Sequence, residues 1–357
     1  MAQPFKLGLN TFGDVTNDAA GIPLPSAQVL RDLVEQGVLA DRVGLDFIGI
    51  GEHHREDFAV SAPEVVLAAI AARTERIHVG TAVTVLSSDD PIRVFQRFVT
   101  LDGISNGRAE VILGRGSFTE SFQLFGCELE DYEKLFEEKL ELFAAVRQQT
   151  PVTWSGSIRP PLVGTTIHPT VEHGLLPTWV GVGGSQESVV RTAKYGFNLM
   201  LAIIGGEPAR FTAYVDLFHR ALAQFDQPVA AIGVHSPGHI AETDEQAREE
   251  LWPHHSEMMN RIGRERGWGP MSRESFEHEA DVGSLYVGSP ETVAQKIAIT
   301  AGALGLSRFD LKYSNGTLAH GKLMSSIELY GAIVAPRVRE LLTDQLVSKP
   351  TSAVNGE

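Results

Sequence analysis

The chain has a single cysteine, Cys127, so no intrachain disulfide can form. That fits a reducing cytoplasm, where a packed core and not a cross-link holds the fold. Positive charge is scarce: 30 Lys and Arg against 45 Asp and Glu leave a formal net charge of −15. This balance argues against non-specific binding to nucleic acid or an anionic membrane, although a local basic pocket could still capture a phosphate. No apolar run approaches the ~18 residues of a membrane-spanning helix. The opening MAQPFKLGLN has no apolar segment after a basic start, so no secretory signal is expected either. Also missing are a GxGxxG dinucleotide fingerprint, a GxxxxGK[ST] phosphate loop, and any HExxH or Cys/His cluster for a metal. No metal site is therefore assigned.

What is present is alternation. Short β-rich runs occupy 5–10, 46–51, 77–83, 109–114, 178–182, 197–203, 229–235 and 307–313. Helical periodicity occupies 25–43, 63–73, 91–104, 131–148, 186–195, 208–224, 244–265, 290–303 and 321–341. Asp90-Pro91 and Ser289-Pro290 each read as a cap followed by proline in the first helical turn. Thr243-Asp-Glu-Gln246 reads as a capping box, and Asn106-Gly107 as a left-handed turn between a helix and the next strand.

Eight strands alternating with helices predict a parallel sheet, either open and doubly wound or closed as a (β/α)8 barrel. The length exceeds that of a typical barrel by about 100 residues. Two stretches absorb the excess. Residues 150–176 read as an inserted hairpin or extended loop after the fourth helix. Residues 252–284, polar and rich in Arg, Glu, Gly and Met, read as a long mobile segment before the last βα unit and a candidate lid. No composition break marks a second domain, so residues 1–345 are read as one domain, and 346–357, which lack periodicity, as a disordered tail.

Three places could carry chemistry. Glu52-His53-His54 leaves the second strand at its C-terminal edge, where a β/α enzyme keeps its reactive groups. Adjacent side chains of an extended segment point opposite ways, so one histidine at most is expected to face a shared cavity. It would move a proton or stabilise a charged intermediate; polar capping of a strand end is the plainer alternative. Arg115, between Gly114 and Gly116, suits a phosphate through its planar fork, or else a surface ion pair. Gly181-Val-Gly-Gly-Ser185 feeds a helix N-terminus and could cradle an anion, or simply turn the chain. A second pair, His254-His255, reads as a solvated helix face, and Met258 and Met259 as packing.

EHH at 52–54, VGTAVTVLSSDDPIR at 79–93, SNGRAEVILGRGSF at 105–118 and VGSPETVAQKI at 287–297 resemble the bacterial-luciferase-like flavin-dependent monooxygenases. The resemblance implies the closed (β/α)8 TIM barrel and a site for FMN or the deazaflavin F420 at its C-terminal face. By it, His53 matches the histidine implicated in catalysis, and Ala82–Val83 a non-prolyl cis peptide beneath the flavin ring. Arg115 matches the phosphate-binding arginine. Gly184, Ser185 and Ser188, with the adjoining Gly183, match the phosphate loop after the fifth strand. Met200 and Leu201 fall near the ring contacts of the sixth strand. Phe12 and Phe118 are candidate walls of an apolar substrate pocket, with core packing equally open for each. Two departures stand out: Gly114 replaces the reactive cysteine of the light-emitting members, and Gly184 their loop glutamate.

The expected protein is thus a cytoplasmic, homodimeric monooxygenase taking reduced FMN and O2, with a separate NAD(P)H:flavin reductase. Two alternatives stand beside it. One is an F420-dependent reductase or dehydrogenase, whose long anionic tail would favour more basic residues than Arg115, Arg191 and Lys194. The other is a non-catalytic flavin-binding protein.

Overall fold

The computed structural model describes residues 4–18, 20–116 and 118–348. Its strands are β1 (Lys6–Thr11), β2 (Phe47–Ile50), β3 (His78–Thr81), β4 (Thr84–Val85), β5 (Ala109–Gly114), β6 (Val152–Trp154), β7 (Leu162–Thr165), β8 (Thr178–Val182), β9 (Asn198–Ala202), β10 (Ile232–Ile240), β11 (Tyr286–Gly288) and β12 (Arg308–Lys312). Eight of them close on themselves in the order β1-β2-β3-β5-β8-β9-β10-β12, every pairing parallel. β12 bonds both β1 and β10, which completes a (β/α)8 barrel and excludes the open sheet.

Helices α1 (Ser26–Arg42), α2 (Pro63–Ala71), α3 (Pro91–Ser105), α4 (Glu120–Leu124), α5 (Tyr132–Arg147), α6 (Gln186–Lys194), α7 (Thr212–Gln224), α8 (Asp244–Arg266), α9 (Arg273–Asp281), α10 (Pro290–Leu304), α11 (His320–Leu329) and α12 (Ala335–Ser348) surround the strands. Their starts follow local chemistry. The Asp90 carboxylate accepts from the backbone N–H of Ile92 and Arg93, and Ser289 accepts from Thr292. Thr243 caps α8, but Gln246 bonds forward to Glu250, so only half of the capping box forms. Asn106 adopts the left-handed conformation, φ 58°.

The 150–176 insertion is the antiparallel hairpin β6–β7. The 252–284 stretch differs from the mobile segment expected: it is the second half of α8, all of α9 and the approach to β11. Its polar composition conceals a narrow apolar stripe, Phe276 and Ala280 one turn apart and buried, which seats α9. The last helix runs to Ser348, so residues 346–348 belong to α12, and the rest of the predicted tail lies outside the described residues.

Strand alternation splits the core in two. One layer lies between strands and helices. The other, Phe47, Ile112, Trp179 and Met200, fills the barrel interior. Near its N-terminal end the fully buried Arg308 donates to Asp310 (2.8 Å) and Glu110 (2.7 Å) and lies 3.6 Å over the Phe47 ring. Trp179 Nε1 adds a bond to Glu110 (3.0 Å). Burial works to raise the Glu110 carboxyl, but Arg308 and His78 outweigh it and hold it far below the usual range. Gly80 makes room there: a Cβ on it would lie 2.6 Å from the Glu110 carbonyl oxygen.

Candidate active site

At the opposite, C-terminal end the barrel opens into a cavity of about 380 Å³. Chain polarity puts it there, since every parallel strand delivers its last residues to one face. The cavity collects Phe12, His53, Ala82, Val83, Arg115 and Phe118, together with Gly183 and Met200. Gly184, Ser185 and Ser188 do not line it; they form the turn and first residues of α6 beside Gly183. Leu201 is on the other face of β9, buried in the outer core against the helices, and is no part of the cavity. Period-two alternation requires this of neighbours on one strand, so only Met200 of that pair faces inward.

His53 sits just beyond β2, its backbone N–H bonded to Val60 O (3.0 Å). Its ring stacks on Phe58 (4.4 Å) and meets the Phe12 and Phe118 rings edge-on at 4.8 and 5.1 Å. Burial lowers its pKa to about 3 against the partial pull of Asp14, so the imidazole is neutral at neutral pH. His54 and Glu52 border the same cavity, contrary to the expected division of the two histidines. The chain leaves extended geometry after Ile50, so strand alternation no longer applies. His54 Nε2 bonds Glu52 Oε1 (2.9 Å), and Glu52 Oε2 accepts from Val85 N–H (3.2 Å). Burial raises the Glu52 pKa, opposed by those two partners.

The sequence reading missed His235. It lies on β10, buried against Phe12 (5.9 Å, nearly parallel), and lines the cavity. The Asn10 amide donates to its Nδ1 (2.7 Å), which leaves the proton on Nε2. Burial and the Lys312 charge lower its pKa to about 3. The available signal was a histidine on a predicted strand otherwise apolar; its partner Asn10 is 225 residues away.

The Ala82–Val83 peptide is cis. A Cβ on Gly114 would lie 2.4 Å from Val83 Cγ2, so Val83 takes the space a cysteine would need. Gly184 has φ 141°, a conformation that side-chain-bearing residues rarely adopt, and glutamate there would be strained. Both departures from the light-emitting members thus have a local steric reason.

The other end of the cavity carries Arg115. Arg115 hydrogen-bonds the Glu133 carboxylate, and Arg191 stands 3.7 Å from the same group. Arg191 Nη1 and the buried Ser188 Oγ lack any partner. α6 begins beside them, capped by Ser185 and with its first N–H groups directed out of the helix.

A family model described as luciferase-like monooxygenase matches residues 9–307. The chain belongs to the luciferase-like monooxygenase family. Among curated relatives, the N-acetyl-S-alkylcysteine monooxygenase of Bacillus subtilis is 31% identical over 51% of this chain and 54% of its own. The alkanal monooxygenase alpha chain of Photorhabdus luminescens is 31% identical over 31% of each. The matched region thus spans about half, or less, of these relatives' length. Solved structures agree in fold over nearly the whole chain. A monooxygenase from Streptomyces bottropensis gives a TM-score of 0.80 at 21% identity, covering 93% of this chain and 99% of that one. The oxygenating constituent of 3,6-diketocamphane monooxygenase of Pseudomonas putida, in complex with FMN, gives 0.73 at 17%, covering 94% and 99%. An F420-dependent secondary alcohol dehydrogenase gives 0.70 at 17%, with the same coverage.

Proposed function

We propose that this protein is a monooxygenase that takes reduced FMN and O2, the flavin being supplied by a separate reductase, and inserts oxygen into a small organic substrate. The observation that carries this is one cavity with two unlike ends: neutral imidazoles among aromatic rings at one, the Arg115 guanidinium at the other, with Arg191 behind it against the same Glu133. A flavin mononucleotide has the same polarity, a planar ring joined to a phosphate. The residues present fit it. Val83, Ile112 and Met200 offer an apolar seat for the ring, while Arg115 offers donors for the phosphate, with Gly183 and the α6 N-terminus beside it.

When bound, reduced flavin supplies the electrons that activate oxygen. The chain's part is to hold, shield and exchange protons. Phe12, Phe58 and Phe118 wall the imidazole of His53 from water. Neutral at neutral pH, His53 is able to accept or donate a proton at the reacting centre, and His235 presents an N–H fixed by Asn10. The reading takes residues 1–345 as one domain and a cytoplasmic homodimer as the working form.

Hydride transfer with F420 is the second reading, favoured by the F420-dependent structure of like fold. Glu133 and Glu187 beside the Arg115 end weigh against its longer anionic tail. Titration with FMN and with F420, followed by O2 consumption with each reduced cofactor, tests the choice. FMN binding with O2 uptake supports the first reading, and F420 binding without O2 uptake replaces it.

A further inference from the structure

A second chamber, of about 550 Å³, adjoins the first. It lies where α8 and α9 fold back over the ends of β9 and β10, and Ile204 borders both cavities. Much of its wall is apolar: Ile204, Pro237, Met259, Met271 and Leu285. Uncharged polar side chains interrupt that wall: His255, Ser275, His278 and Ser284. His255 is 5% exposed with the Asn315 side chain beside its imidazole, and Ser284 is 1% exposed with no hydrogen-bond partner for its Oγ. Both residues line the chamber. Native folds rarely bury polar atoms without partners, and such atoms at a cavity wall mark where a ligand or ordered water completes the bonding.

The charges around the chamber narrow the ligand. Glu279 is held by the backbone N–H groups of Gly206 (3.0 and 3.1 Å) and Ser284 (3.1 Å). Glu274 stands exposed on the same wall, and among the described residues no Lys or Arg lines the chamber. Burial holds the His255 imidazole neutral, its pKa lowered to about 4. An anionic group would meet the Glu274 and Glu279 carboxylates and no Lys or Arg, whereas an uncharged polar group finds the hydroxyls of Ser275 and Ser284 and the imidazoles of His255 and His278, each able to donate or accept.

We propose that this chamber receives the far end of the substrate, and that this end carries a hydroxyl, ketone or amide on an apolar stem. Ile204 is the threshold over which the stem passes to the first cavity. The word substrate rests on the monooxygenase reading; the binding chemistry does not.

Calorimetry on the full-length protein with 1-hexanol and hexanoate as matched probes tests this, beside FMN titration by fluorescence quenching. Hexanol should bind and hexanoate should bind at least tenfold more weakly. Ser284→Ala should weaken hexanol about tenfold, the size of one buried hydrogen bond. Met271→Trp, which fills the chamber from a half-buried position, should abolish hexanol binding. FMN affinity should stay unchanged in both variants. Equal binding of the two probes, or hexanol binding unaltered in both variants, overturns the proposal. If FMN fails to bind the parent protein while the hexanol results hold, the flavin reading falls and the chamber stands.

Discussion

The two ends of the barrel bury polar groups for opposite purposes. Near the N-terminal end, all three guanidinium nitrogens of Arg308 have carboxylate partners, and Trp179 bonds the same Glu110. At the C-terminal end, Asn10 Oδ1, Ser188 Oγ and Arg191 Nη1 are buried without partners. An unsatisfied buried polar atom costs roughly 1–3 kcal/mol. On the function proposed above, the first end holds the fold and a bound ligand completes the second. The arrangement follows from parallel topology: one face receives only strand starts and can be sealed, while the other receives the loops.

Breaking the sealed end should have the largest effect on stability. Arg308→Leu strands Glu110 and Asp310 in the interior, and should cost about 3–5 kcal/mol in urea unfolding. The sign with pH follows from Glu110. Its folded pKa is depressed, so its contribution is present above the unfolded carboxylate pKa of about 4.3 and fades as pH falls through the folded value. Acid unfolding of the parent should therefore show a carboxylate component that the variant lacks. A variant as stable as the parent at neutral pH would show that the seal is dispensable.

At the open end, His53→Ala should cut turnover on the order of 10²–10⁴-fold while flavin affinity stays nearly intact. Product formation at the parent rate would remove His53 from the chemistry. Its imidazole and that of His235 also carry a pH signature. Both folded pKa values, about 3, lie below the unfolded value of 6.5. The unfolded state thus binds more protons between those limits, and stability should begin to fall once pH drops below about 6.5. His235→Phe should reduce the slope of stability against pH between about 6 and 4; an unchanged slope would mean that His235 is protonated in the fold.

The barrel was legible because its signals are local. All eight strands and nine helices were found by periodicity, although the seventh strand runs Ile232–Ile240 and not 229–235, and the last helix, read as 321–341, is α11 and α12 joined by a π-helical turn at Tyr330–Val334; the caps at Asp90 and Ser289 form as their residue types dictate. Inside and outside were not legible. In a parallel strand both faces are apolar, so Met200 and Leu201 look alike until the barrel closes. The functional imidazoles were split for the same reason. His53 stands in a conspicuous motif, whereas His235 and His255 acquire their character from partners and walls far away in sequence. His254-His255 read as solvated because α8 is mostly polar; yet His255 falls on its buried stripe with Ala247, Leu251 and Met258, beside Asn315 and with its ring 5.9 Å from Phe276 of α9.

The smallest expected effect sharpens the contrast most. Arg115→Ala should weaken FMN by about 10-fold or more while leaving riboflavin nearly unaffected, since a charge-assisted bond to phosphate is worth roughly 1.5–3 kcal/mol. Equal loss for both ligands would contradict a phosphate contact. Glu133 makes the sign of a second change informative. Its carboxylate now occupies Arg115 and approaches Arg191, so a phosphate must compete with it for the same donors. Glu133→Gln should then tighten FMN by a few-fold, because an exposed ion pair is worth at most about 1 kcal/mol. The gain should shrink in high salt, where that pair is already weakened. At the sealed end the same exercise, Glu110→Gln, would weaken the protein, because Arg308 has no ligand waiting to replace its acid. Weaker FMN binding in Glu133→Gln would mean that Glu133 orients Arg115 for the phosphate and does not hold its place.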